Sequence, residues 1–240
     1  MEDPLDDDDF GHIFASSDLV PGWLTRDQAR VLHDEARRLG RGSTIVEIGS
    51  HQGRSTTVLA AGARAAASTV VAIDPFVTTT RYAGPSVQAL LEENLASRGL
   101  DDRVRVVADY SRAVRDAWTG PIDLLFVDGK HDMGSCIDDL RWRRHLSPGD
   151  RVLVHDAFSS LGVTLALLAA ALPSNDLVFL DRTGSLARFE IGRPTTRSRL
   201  RMLGQTGWWI RNLVIKVLLR LRLHRAAGLL GHDQPGNDPF

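Results

Sequence analysis

Apolar residues along this chain arrive in short β-branched runs separated by longer stretches of helical period. Thr44–Ile48, Thr69–Ile73, 103–107, Ile122–Val127 and 151–154 each read as a buried strand that stops at Gly, Asp or His. Helix-period stretches fall between and after them, at 54–66, 86–98, a short turn ending near Trp118, 133–146 and 161–172. Ahead of the first strand, Thr25-Arg26-Asp27-Gln28 has the form of a capping box. It predicts a helix running to Leu39, stopped by Gly40, with Val31, Leu32, Ala36 and Leu39 on its buried face. Two last strands, 177–180 and 185–191, flank Asp181-Arg182-Thr183-Gly184, a turn short enough to force antiparallel pairing. The alternation predicts an α/β fold: a doubly wound, mostly parallel seven-stranded sheet with helices on both faces and an antiparallel last strand.

The ends break this pattern. Residues 1–19 open with Glu2, Asp3 and Asp6 to Asp9 and read as an acidic flexible tail. Residues 20–191 form the domain, and 192–207 a basic linker. Residues 208–240 form a basic apolar helix and tail, in which Ile210, Val214, Val217 and Leu221 share one helical stripe. Three roles suit the segment 208–225: peripheral contact with a membrane, a contact between copies of the chain, or packing on its own domain. Its tryptophans, leucines and arginines put the membrane first.

Composition narrows the classes. A net charge of -1 over 240 residues supplies no global field for nucleic acid, so no nucleic-acid partner is expected. The single cysteine, Cys136, allows neither an internal disulfide nor a cysteine zinc cluster, which fits a reducing cytoplasm. The acidic N-terminus lacks the apolar core of a signal peptide, and no apolar run is long enough to span a bilayer. The expected location is cytoplasmic, with peripheral contact on the inner membrane face if 208–225 serves that role.

Chemistry-bearing residues gather at the carboxyl ends of successive strands, where open α/β sheets bind ligands. Glu47-x-Gly49-x-x-x-Gly53 follows the first strand and leads through Ser50 and Ser55 into a helix N-terminus with free N–H groups. Asp74 ends the second strand, Asp109-Tyr110-Ser111 the third, Asp128 and His131 the fourth, and Asp156 the fifth. An acceptor-only carboxylate such as Asp74 suits a ribose diol. That pairing alone does not tell one nucleoside-bearing ligand from another. The wider glycine spacing, one short of GxGxxG, favours a ligand without a pyrophosphate.

Taken together, VEIGSHQGRST (46–56), VVAIDPF (70–76), VRVVADYS (104–111) and LLFVDGKHDMGSCIDDLRWRRHLSPGDRVLVHD (124–156) resemble class I S-adenosylmethionine-dependent methyltransferases. Within them, the chain is similar to the type 24 group, which is like the macrocin and mycinamicin sugar O-methyltransferases and more distantly like catechol O-methyltransferase. The resemblance covers about residues 20–191 and implies a Rossmann-like methyltransferase fold with S-adenosylmethionine as cofactor. Carried over, it makes Glu47, Gly49, Ser50, Gly53, Ser55, Asp74, Asp109, Tyr110, Ser111 and Asp128 cofactor-binding. It makes Asp128 and Asp156 ligands of Mg²⁺ and His131 the base that takes the acceptor's hydroxyl proton. Arg81 and Tyr82, in the loop after the second strand, become candidate substrate contacts.

The chain departs from this group at Ala157, where relatives place a further Asp or Asn ligand. His155 is adjacent, but strand alternation would turn it away from Asp156. The implied acceptor is a hydroxyl of a small molecule or saccharide, a sugar or glycosylated metabolite first. A phenol or catechol is the same-fold alternative, and a non-catalytic binding protein that keeps the fold is the alternative of another class.

Overall fold

The computed structural model describes residues 7–77 and 85–231; Arg81 and Tyr82 lie outside the described residues. Seven strands form one sheet: β1 (Thr44–Ile48), β2 (Thr69–Ile73), β3 (Val104–Val107), β4 (Ile122–Val127), β5 (Leu146–Val154), β6 (Leu177–Thr183) and β7 (Leu186–Ile191). Their order across the sheet is β3-β2-β1-β4-β5-β7-β6. β1 pairs in parallel with both β2 and β4, so the winding direction reverses between β1 and β4. Such a reversal opens a crevice above the strand ends. β7 runs antiparallel to both β5 and β6, as the short turn requires.

The pleat divides the strand residues between two cores. Ile45, Val70, Leu124, Phe126 and Leu153 face α1 (Asp7–Asp18), α2 (Arg26–Arg37), α3 (Arg54–Ala63) and α4 (Pro85–Ala96). Val46, Val71, Leu125, Val127 and Val152 face the other layer. That layer holds α6 (Met133–Asp139), α7 (Leu161–Ala166) and α8 (Thr196–Arg220), with α5 (Ser111–Asp116) at its margin. Burial on both faces is why these strands read as continuous apolar runs. The capping box at Thr25 forms as read, and Leu32 and Ala36 are buried, with Val31 and Leu39 packed at the core's edge.

Both terminal readings need correction. Asp7–Asp18 is α1, a helix within the expected flexible tail. Phe10 and Phe14, one turn apart, stack at 6.4 Å, and Phe10 is buried beneath the Arg30 guanidinium. Acids in a first helical turn also favour the helix dipole. At the other end, most of the expected linker is the first part of α8, which starts at Thr196. Thr195 and Ser198 cap it reciprocally, at 3.0 and 3.1 Å. Gly204 and Gly207 cost only about 1 kcal/mol each inside a helix, while Met202 is buried against the domain. Two smaller shifts matter less. The helix after β4 tightens to a 3-10 form at Leu140–His145, and β5 starts early, at Leu146. Among the described residues no helix is long and apolar enough to cross a membrane.

Candidate active site

A cavity of about 1830 Å³ lies over the carboxyl ends of β1, β2, β4 and β5, at the winding reversal. Its near wall is the β1–α3 turn. Gly49 adopts φ +88°, and a Cβ there would lie 2.1 Å from the Asp128 carbonyl oxygen. This glycine lets two strand ends close on each other, beyond any contact it offers a ligand. Gly53, at φ +91°, caps α3 from behind the wall.

Glu47 and Ser55 behave differently from their shared expectation. Glu47 is fully buried and sits behind the cavity lining. Its carboxylate accepts from Ser55 Oγ at 2.5 Å and Thr56 Oγ1 at 2.6 Å, tying β1 to the first turn of α3. Burial pushes its pKa up to about 7, against the two hydroxyl donors that pull it down. Glu47 thus shapes the turn, while Ser55 reaches the cavity. Ser50 Oγ and His51 Nε2, buried in the lining, have no hydrogen-bond partner among the described residues. Unpaired polar atoms of this kind mark a place for a polar ligand.

Asp74 is aimed by two backbone donors, the N–H of His51 at 3.0 Å and the N–H of Phe76 at 2.9 Å. Both donors sit in left-handed backbone, His51 at φ +46° and Phe76 at φ +43°. Beyond Asp74, Tyr110 and Ser111 line the cavity. Asp109 does not; its carboxylate accepts its neighbour's N–H, that of Tyr110, at 2.7 Å. The acid that meets Ser111 in that wall is Asp139, which the sequence reading missed. It accepts from Ser111 Oγ, which in turn accepts from Trp142 Nε1 at 3.0 Å. Burial raises Asp139 to about 6. Only its position on the inner side of α6 could have pointed to it.

The far wall holds the charged cluster. His131 Nδ1 is 3.0 Å from Asp156 Oδ2, and its Nε2 is 3.6 Å from Asp128 Oδ1. The nearby Asp128 carboxylate leads in raising the His131 pKa, against burial. His155 joins them, with Nδ1 3.2 Å from Asp128 Oδ1 and 3.9 Å from Asp156 Oδ1. This corrects the expectation that His155 turns away. β5 ends at Val154, and Asp156 takes φ +54°, so strand alternation has stopped before the pair. Burial is the largest single influence on His155 and lowers it, but the charge and hydrogen bond of Asp128 and the charge of Asp156 together outweigh it, and the net shift is upward. Burial likewise raises Asp128, and the two histidines overcome it. Asp128, His155 and Asp156 each offer one ligand atom, all within 4.8 Å of one another, so they could hold a metal ion. Ala157 is buried and its N–H donates to the Ser185 carbonyl. Gly162 lets α7 pack against this loop, since a Cβ there would lie 2.2 Å from the His131 carbonyl oxygen.

The remaining wall comes from outside the strand ends. Trp23, Arg182, Trp208, Leu213 and Lys216 line it. Lys216 of α8 reaches the Ser159 carbonyl at 3.4 Å, and Ser159 Oγ donates to Asp156 at 3.2 Å. The C-terminal helix therefore packs on its own domain through one face, the third of its expected roles.

Residues 46–157 match the type 24 family described as "Methyltransferase domain". Among solved structures, the chain is similar to cofactor-bound Rv0187 from MTB, at 22% identity and a TM-score of 0.59, over 78% of this chain and 91% of that one. The O-methyltransferase from Bacillus cereus in complex with SAH matches at 19% identity and TM-score 0.55, over 78% and 92%. TomG from Streptomyces achromogenes, an O-methyltransferase involved in tomaymycin synthesis and solved with SAM, matches at 20% and 0.55, over 80% and 91%. These likenesses share the fold described above. Residues 46–157 thus match a methyltransferase-domain family, and the chain shares its fold with solved methyltransferases.

Proposed function

We propose that the protein is an S-adenosylmethionine-dependent O-methyltransferase that acts on a hydroxyl of a sugar or glycosylated metabolite. One observation carries the reading. His131 stands between Asp128 and Asp156 in the same cavity that the Gly49–Ser55 turn and Asp74 line.

The residues on the cofactor side fit the methyl donor. Asp74, with both oxygens oriented by backbone N–H groups, suits a ribose diol. Ser50 Oγ and His51 Nε2 are unpaired beside it. Tyr110 and Asp139 bound the adenine end of the cavity. S-adenosylmethionine, when bound, supplies an activated methyl on sulfonium sulfur. His131 takes the proton of the acceptor hydroxyl as the oxygen becomes the nucleophile. Asp156, on His131 Nδ1, orients the ring and stabilises the imidazolium that results.

The acid-rich wall also fits a divalent cation. Two carboxylates with one imidazole form a mainly oxygen donor set, and water can complete it, as suits Mg²⁺. Asp128, Asp156 and His155 would hold the ion, His155 standing in for the ligand absent at Ala157. Bound there, the ion supplies a Lewis acid that lowers the pKa of an acceptor hydroxyl.

A phenol is the second reading, supported by the aromatic surfaces of Trp23 and Trp208 in the cavity wall. Calorimetry with S-adenosylhomocysteine against NAD tests the cofactor, and a methyl-transfer assay over sugars and catechols tests the acceptor. Binding of NAD without S-adenosylhomocysteine would sink the methyltransferase reading. Transfer to catechols alone would replace the sugar.

A further inference from the structure

α8 shows two unlike faces. Met202, Asn212, Ile215 and Leu219 are buried, and Trp208, Leu213 and Lys216 line the cavity. The opposite side carries Leu200, Leu203, Ile210, Val214, Val217 and Leu221 in the open; Leu200 is 61% exposed and Leu221 62%. With Gly207 these positions follow a strict alternation of three and four, so they form one straight apolar seam along the helix. α9 (His224–Leu229) continues the apolar surface past the end of α8, where Leu229 is 90% exposed.

The charge around this seam is of one sign. No Asp or Glu occurs between Glu190 and Asp233, whereas Arg197 and Arg220 flank the seam and Arg222 and Arg225 follow it, all exposed. A second copy of α8 laid along the seam would bring like charges together and leave a gap at Gly207. An anionic surface is complementary both to the arginines and to the leucines.

We infer that α8 and α9 dock on an anionic lipid surface, with the seam in the interface and the arginines at the headgroups. The same helix then stands with its inner face on the acceptor cavity and its outer face on lipid. The docking does not depend on the methyl-transfer reading, because the seam and the catalytic cluster are separate surfaces.

The test is co-sedimentation of the full chain with vesicles of phosphatidylcholine alone and of phosphatidylcholine with phosphatidylglycerol. The chain should bind the anionic vesicles at least tenfold more tightly and release them at high salt. Val214→Asp with Val217→Asp should weaken that binding at least tenfold, with the circular dichroism spectrum and S-adenosylhomocysteine binding unchanged. Arg220→Gln with Arg222→Gln, which leaves the apolar seam whole, should weaken it as well. Equal binding to both vesicle types, or wild-type binding by the aspartate variant, overturns the inference. So does light scattering that shows a dimer which the aspartate variant dissociates, since the seam would then belong to a second copy.

Discussion

The Asp128 carbonyl oxygen stands where a side chain on Gly49 would begin: a Cβ at Gly49 would lie 2.1 Å from that oxygen and 2.6 Å from its carbon. The contact joins the β1–α3 turn side of the cavity to the charged side, because β1 and β4 are neighbours. Gly49→Ala combines left-handed strain of about 1–3 kcal/mol with this backbone collision. The expected loss is at least about 3 kcal/mol in urea unfolding. Divalent-ion binding should weaken with it, because relief of the clash moves Asp128. A variant as stable as the wild type would show that the two strand ends lie further apart.

His131→Ala should lower turnover by about two to four orders of magnitude, the usual worth of a positioned base. Affinity for S-adenosylhomocysteine should stay nearly the same, since His131 lies in the charged wall, away from the β1–α3 turn and Asp74. Calorimetry and initial rates on one preparation separate the two effects. A variant that turns over at the wild-type rate removes His131 from the mechanism.

His155 gives a sharper test of the metal than chelation alone. EDTA should reduce activity, and Mg²⁺ should restore it. His155→Ala should weaken Mg²⁺ binding by about tenfold or more, the scale on which altered metal-site residues act. Retention of full activity in EDTA would leave His131 and its carboxylates as a metal-free site.

Glu47 sets a pH dependence of stability. Its pKa is raised from 4.5 to about 7 in the folded protein. Between those values the folded state holds a proton that the unfolded state has released, so stability falls as pH rises through the window. The loss is complete above about pH 7, where ionised Glu47 remains buried. It amounts to roughly 3 kcal/mol by the conversion of a pKa shift to free energy. Glu47→Gln should flatten this slope in thermal unfolding from pH 5 to pH 8. An unchanged slope would assign it to other groups.

Much of the site could be read from the chain because strand ends are local features. The glycines after β1, the acids after β2 and β4, and the His131 spacing all appear in sequence order, and parallel strands carry them to one edge of the sheet. Failures came where local rules stop. A regular strand would turn His155 away from Asp156, but a left-handed Asp156 ends the alternation. Asp109 looked like the acid of the third strand, yet it turns to its own backbone, and Asp139 from a helix occupies the wall. The span before Trp208 looked like a linker because its glycines and arginines hid a capped helix start at Thr195.

By itself, then, the sequence determined the alternating α/β order, the antiparallel last strand, the glycine turn and the identity of the Asp128–His131–Asp156 set. Periodicity and turn chemistry are properties of short segments, so they survive in one dimension. Only the tertiary structure decided that Glu47 braces the turn from behind, that His155 completes the charged cluster, and that α8 walls the cavity. Those outcomes depend on which residues, far apart in the chain, compete for the same buried space, and packing settles that competition only once the sheet has formed.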